Sequence, residues 1–163
     1  MECVEASDFH MHTGMLGVRF LYDALNTCGL PEYAYRIIVA KGFPSYTQWL
    51  DQGATTLWET FYDGSSKNHH MYSCFMQFLM NTLVGINPVE ALPGMRHIEL
   101  KPAFVRELSW CRGLRHMPCG DLTVAWRRTD DDVKMKVEVP EGVTVRYKDR
   151  IMTAGIYEFQ VEQ

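Results

Sequence analysis

Long hydrophobic runs are missing from this 163-residue chain. No apolar stretch approaches the roughly 20 residues that a membrane-spanning helix needs, so a helical membrane protein is not expected. An excess of either charge is missing too. Lys and Arg number 16 against 20 Asp and Glu, a formal net charge of −4, with neither a basic stripe nor the Arg/aromatic interleaving that phosphate backbones select. Nucleic-acid binding is set aside on that ground. Cys3, Cys28, Cys74, Cys111 and Cys119 form an odd set with no CxxC pair, which argues against a disulfide framework and a four-cysteine zinc site. The six histidines contain no HxxxH pair, so no metal and no cofactor is expected. The segment Met1-Glu2-Cys3-Val4-Glu5 is acidic where an export signal would be basic. With the unpaired thiols this favours a cytoplasmic setting, although the parent of a partial chain can be exported. What is present, 47% hydrophobic and 22% charged residues, suits one globular core or two small ones.

The apolar pattern changes character along the chain. Up to about Leu92, apolar residues come in thick clusters separated by Gly and Pro, as in packed helices. Thr13 is expected to cap a helix through Val18, Leu21 and Leu25 that ends at Cys28-Gly29, and Pro31 to open the next, running toward Gly42. Ser45 is expected to cap a short turn holding Trp49 and Leu50, and a long helix is expected from His70 to near Gly85. Beyond Gly94 the period becomes two: Ile98 and Leu100, Leu122 to Trp126, Val133 to Val139, Val143 to Tyr147, and Tyr157 to Val161. Asp130-Asp131-Asp132 and Glu141-Gly142 fall at hairpin positions. The fold class is therefore α+β, with a helical segment over 1–94 and a small antiparallel β-sandwich over 95–163. The helices are apolar nearly all round, a feature of helices buried in a larger assembly.

The stretch Gly53-Ala54-Thr55-Thr56-Leu57-Trp58-Glu59, followed by Asn68-His69-His70, gathers a carboxylate, an indole and imidazoles within a short span. Glycosidases use these groups: carboxylates move protons, aromatic faces pack on a pyranose, and imidazole and amide groups take hydroxyls. Glu59 is the candidate catalytic residue, with His69, Trp58, Asn68 and Trp49 as candidate substrate contacts. Each has a plainer reading. Glu59 fits an ordinary loop carboxylate, and Trp58 and Trp49 fit core filling. His70 suits a capping role. His10 and His12 fit core, cap or pocket, and Trp110 and Trp126 read as core or interdomain wedges.

These motifs also carry a family resemblance. His10-Met11-His12-Thr13-Gly14-Met15-Leu16-Gly17, Phe43-Pro44-Ser45-Tyr46, Gly53 to Glu59, Asn68 to Tyr72 and Pro93-Gly94-Met95-Arg96-His97-Ile98 stand in the order and spacing of bacterial alpha-L-rhamnosidases, glycoside hydrolase family 78. The chain resembles the C-terminal part of their (alpha/alpha)6 six-hairpin barrel and the small β domain that follows. Tyr46 stands where that family often has Trp, and Ser73 where Gly is common. The resemblance implies an inverting hydrolysis of terminal alpha-L-rhamnose from glycosides, with Glu59 as general base. It also implies a general acid on an upstream acidic motif that no segment here resembles, the Asp130 to Asp132 cluster included. A chain lacking that acid is expected to be inactive alone, and to self-associate or dock on the remaining part of the barrel. The competing reading is a non-catalytic remnant, a sugar-binding or assembly module of the same fold. A six-hairpin glycosidase acting on another sugar is a third.

Overall fold

The computed structural model describes residues 2–62, 65–130 and 132–161; Asp131, in the expected Asp130 to Asp132 hairpin, lies outside them. The chain divides into two compact units between Phe78 and Leu79.

In the first unit a short helix α1 (Glu2–Ala6) precedes α2 (Met15–Thr27), α3 (Pro31–Val39) and α4 (Tyr46–Asp51). Pro31 opens α3 at its first turn, where a missing N–H costs nothing. Ser45 caps α4, its Oγ accepting from the Gln48 N–H at 3.2 Å. Thr13 does not cap α2, contrary to expectation. The N-cap is Gly14 with no side-chain bond, and the Thr13 methyl instead crowds Gly17, where an added Cβ would lie 2.4 Å from it. The core of this unit is aromatic: Tyr22, Tyr46, Trp49, Phe61, Tyr72 and Phe78 are all buried. Tyr46 is its hub, with ring contacts to Trp49, Phe61, Tyr72 and Phe75.

The long helix expected from His70 is a composite. A 3₁₀ turn (His70–Cys74) leads into α5 (Phe75–Phe78), and a π turn (Leu79–Leu83) follows. The Val84 N–H bonds the Leu79 carbonyl at 2.9 Å, an i to i−5 bond. Three carbonyls of that turn are taken from outside: Asn81 by the Asn87 amide, Thr82 by the Ala103 N–H and Leu83 by the Trp126 indole, each at 2.8 Å. Those bonds take the carbonyls that a continuing helix would offer to residues 85–87, so the helix stops at the π turn with its last acceptors satisfied.

The second unit holds two four-stranded sheets. One contains β1 (Ile86–Pro88), β2 (His97–Leu100), β6 (Thr144–Tyr147) and β7 (Arg150–Met152), in the order β1-β2-β6-β7. The other contains β3 (Trp110–Met117), β4 (Gly120–Arg128), β5 (Val133–Val139) and β8 (Gly155–Val161), in the order β3-β4-β5-β8, antiparallel throughout. One pair, β2 with β6, is parallel, an exception to the expected antiparallel pattern. Both sheets face one core that includes Ile98, Leu100, Leu122, Val124, Trp126, Met135, Val145 and Met152. Burying each of these side chains contributes about 1.5–3 kcal/mol. Residues 79–93, which the apolar pattern assigned to the helical part, make their contacts in this unit: Val84 and Ile86 join its core, and β1 pairs with β2. Trp126 is core as read, and Trp110 stands 58% exposed at the start of β3.

Candidate active site

The segment after α4 is set by the way that helix ends. Gly53, with φ of 78°, sends its N–H to the Leu50 carbonyl at 2.9 Å, and the Ala54 N–H returns to the Trp49 carbonyl at 2.9 Å. This is a Schellman closure, which needs a left-handed residue and so selects glycine. The first residue of the Gly53 to Glu59 motif thus has a structural role. The chain then runs out through Thr56 to Glu59 and comes back through Ser66 to His69. The Thr56 hydroxyl donates to the Lys67 carbonyl. The His69 N–H donates to the Leu57 carbonyl at 2.7 Å, and the Glu59 N–H to the Ser66 carbonyl at 2.9 Å.

That return brings Glu59 and His69 together. Glu59 Oε2 lies 4.0 Å from His69 Nδ1, in ion-pair range but beyond a hydrogen bond, and both side chains are about one-third exposed. The same Oε2 accepts the Ser66 N–H at 3.1 Å, so backbone fixes the carboxylate while Oε1 carries no hydrogen bond among the described residues. Asn68 is exposed beside them. His70 stacks at 6.2 Å from His69 and opens the 3₁₀ turn.

The two tryptophans are placed differently from a sugar-facing pair. Trp49 is 2% exposed, stacked on Phe61 at 4.5 Å with its indole N–H donating to the Thr60 carbonyl. No face of Trp49 is open within this unit, because the returning loop closes over it. Trp58 is 8% exposed, with Trp49 on one side at 6.1 Å and the Lys67 ammonium 4.5 Å from its ring centroid. Tyr46 is likewise no platform: its hydroxyl accepts from Tyr22 at 3.2 Å and donates to the Tyr72 carbonyl at 2.8 Å. Burial pushes the phenols of Tyr22 and Tyr46 well above the usual tyrosine range. Ser66 and Lys67, which hold Glu59 and cover Trp58, carry no signal in the sequence, since their contacts arise only when the loop returns. His10 is tied to backbone, its ring nitrogens at 3.2 Å from the Ser7 carbonyl and 2.8 Å from that of Lys41. Among the described residues no group of three His, Cys, Asp or Glu side chains is placed to hold a metal ion. No described helix is long and apolar enough to cross a membrane.

Similarity to known proteins follows the same division of the chain. Residues 1–83 match the bacterial alpha-L-rhamnosidase six-hairpin glycosidase domain, and residues 85–148 match the bacterial alpha-L-rhamnosidase C-terminal domain. An alpha-L-rhamnosidase of Alteromonas sp. (strain LOR) is 27% identical over 155 residues, covering 88% of this chain and 17% of the relative. Among solved structures, an alpha-L-rhamnosidase from Dictyoglumus thermophilum superposes with a TM-score of 0.80 at 27% identity, over 87% of this chain and 16% of that one. One from Streptomyces avermitilis in complex with L-rhamnose gives a TM-score of 0.86 at 23% identity, a likeness of fold, over 99% of this chain and 19% of that one. The sequence thus spans about a sixth of the length of the relatives it matches. Since the first of those domain matches alone takes in more than half of its residues, the chain belongs to the bacterial alpha-L-rhamnosidase family.

Proposed function

We propose that this chain supplies one wall of the active site of an inverting alpha-L-rhamnosidase, with Glu59 as general base. The observation that carries the reading is the carboxylate itself. Its Oε2 is held by the Ser66 amide near His69, and its Oε1 accepts no hydrogen bond among the described residues. An inverting enzyme needs such a fixed carboxylate to draw a proton from water as the water attacks the anomeric carbon. A second carboxyl, about 6.5–9.5 Å away, protonates the leaving oxygen. His69 and Asn68 are exposed enough to take sugar hydroxyls. Trp58 would offer a pyranose its face only if Lys67 moved aside, and Trp49 supports Trp58 from behind. In this reading the general acid comes from another part of the barrel, and rhamnose is the sugar because the relatives are named for it and one was solved with it bound.

The test is Glu59→Gln in an enzyme containing the complete barrel. Turnover should fall by about 10²–10⁴ while L-rhamnose still binds; near-normal turnover would remove Glu59 from the base role. The 163-residue chain alone should not hydrolyse an aryl alpha-L-rhamnoside. The Lys67 cover on Trp58 favours the alternative of a non-catalytic module, and loss of turnover without any rhamnose contact at His69 or Asn68 in saturation-transfer NMR would support it. Exposed Leu16 and Phe20, at 82% and 65%, lie one helical turn apart on α2 and mark the face that docks on the rest of the barrel. Without that cover the chain should self-associate, and a clean monomer in light scattering would count against this.

A further inference from the structure

The outer face of the β3-β4-β5-β8 sheet carries a cluster that the proposed hydrolysis does not use. In one cross-strand row Trp110 stands opposite Arg127, Arg127 opposite Lys134 and Lys134 opposite Gln160. In the next, Arg112 stands opposite Ala125, Ala125 opposite Lys136 and Lys136 opposite Glu158. Together these residues line a recess of about 620 Å³, with the small Ala125 between the longer side chains of its row.

Two features set the recess apart from an ordinary solvated sheet face. Trp110 is 58% exposed and, among the described residues, has no ring or cation against it, unlike Trp58 beneath Lys67. An indole left in water forgoes the burial that normally places tryptophan inside. The charge lining the recess is also mainly positive. Lys136 is partly compensated, its Nζ 2.8 Å from Glu138 Oε1 and 4.0 Å from Glu158 Oε1, and Arg112 adds to the field on Glu138. Arg127 and Lys134 have no ion pair among the described residues. Four cations thus line the recess against one lining carboxylate, Glu158, while Glu138 pairs with Lys136, Asp121 with His116 and Asp132 with Gln160 outside that lining.

We propose that this face binds an acidic saccharide, a glycan carrying uronic-acid carboxylates. A pyranose ring packs on the Trp110 indole, the forked guanidinium groups of Arg112 and Arg127 receive carboxylates through paired N–H bonds, and Lys134 adds a point charge. The choice of a saccharide over other carboxylates rests on the glycosidase reading above. The binding itself does not depend on Glu59.

The test is native affinity electrophoresis of the full 163-residue chain in gels containing polygalacturonate, neutral dextran or poly(dT). Polygalacturonate should retard the chain, high salt should release it, and dextran should leave it unretarded. Trp110→Ala and Arg127→Glu should each weaken retardation about five- to tenfold. Both sites are exposed, and an unchanged far-UV spectrum checks the fold. Four results overturn the proposal: no retardation by polygalacturonate at low salt, equal retardation by dextran, unchanged binding by Trp110→Ala, or poly(dT) bound as tightly as polygalacturonate. An active Glu59→Gln enzyme would leave a positive gel result standing, and a negative gel result would leave Glu59 untouched.

Discussion

The helical unit and the β unit of this chain bury their apolar side chains by different means, although both leave some exposed. In the β unit two sheets each turn one face inward, and Leu122, Val124, Met135, Ile98 and Val145 reach almost zero exposure. In the helical unit an aromatic cluster closes around Tyr46 and Trp49, yet Met15, Leu16, Phe20, Leu50 and Met76 stay in water. The difference lies in periodicity. A strand offers one apolar face and one polar face, so two small sheets can satisfy each other. A helix that is apolar on several sides needs more neighbours than the five helices α1 to α5 provide.

The sharpest break in that comparison should come from the tryptophans. Trp49→Ala removes the ring stacked on Phe61 and should destabilise the chain by about 3–5 kcal/mol. Trp110→Ala, at an exposed strand end, should change stability by no more than about 0.5 kcal/mol. Urea unfolding followed by far-UV circular dichroism measures both. A small effect of Trp49→Ala would mean that the aromatic cluster is not what holds the helical unit.

Glycines should separate the units next. Gly85 in the β unit has φ of 85°, and an added Cβ would lie 2.3 Å from Pro102 N and 2.6 Å from the Lys101 carbonyl carbon. Backbone on both sides has nowhere to go, so Gly85→Ala should cost about 2–4 kcal/mol. Gly53 in the helical unit has φ of 78° with nothing within 4 Å of the new Cβ. There only the backbone conformation resists, and Gly53→Ala should cost about 1 kcal/mol. Equal losses in urea melts would show that crowding at Gly85 is relieved elsewhere.

How far the sequence could be read follows the same division. Alternation located β2, β4, β5, β6 and β8, because their inward residues are large and apolar. It is silent on β3, where an inward position is Gly113, whose missing side chain makes room for Val84: a Cβ there would fall 2.5 Å from a Val84 methyl. It is silent also on β1 and β7, three residues each, too short to show a period. In the helical unit Gly29, Pro31 and Ser45 mark their boundaries correctly through local chemistry. The end of the composite helix at Leu79–Leu83 is not legible, because its last carbonyls are taken by Asn87, Ala103 and Trp126 from later in the chain. Of the candidate site, Glu59 and His69 are legible as separate candidates, while their approach depends on the returning loop. The burial of Trp49 and the Lys67 cover on Trp58 are not legible, since both depend on how the loop returns.

Between pH 10 and 11 the helical unit should lose more stability than the β unit, whose partly buried Cys111 thiol is also raised and starts a loss above about pH 9. Burial raises the Tyr22 and Tyr46 phenols above the ordinary value of 10.0. In the unfolded chain these groups lose their protons first, so their contribution to stability is full below about pH 10 and declines as pH rises beyond it. By pH 11 the loss should reach about 1 kcal/mol for each phenol. In the β unit Tyr147 is also raised by burial, but it is opposed by Arg150 and less enclosed, so its share is smaller. Tyr22→Phe should flatten the decline between pH 10 and 11; an unchanged slope would place the alkaline sensitivity elsewhere.

The smallest effect tests whether local capping matters where tertiary burial is incomplete. Ser45 is fully buried, its Oγ donating to the Gly42 carbonyl at 2.5 Å and accepting from the Gln48 N–H at 3.2 Å. Ser45→Ala removes that cap and should cost about 1 kcal/mol. Thr13 stands at the matching place before α2 by sequence, yet it makes no cap bond. Thr13→Ala should therefore stay within about 0.5 kcal/mol. Equal costs for the two would mean that Thr13 does cap α2 in solution. The start of that helix would then rest on a side-chain bond, with its exposed Leu16 and Phe20 carried on a better-anchored element than the one described.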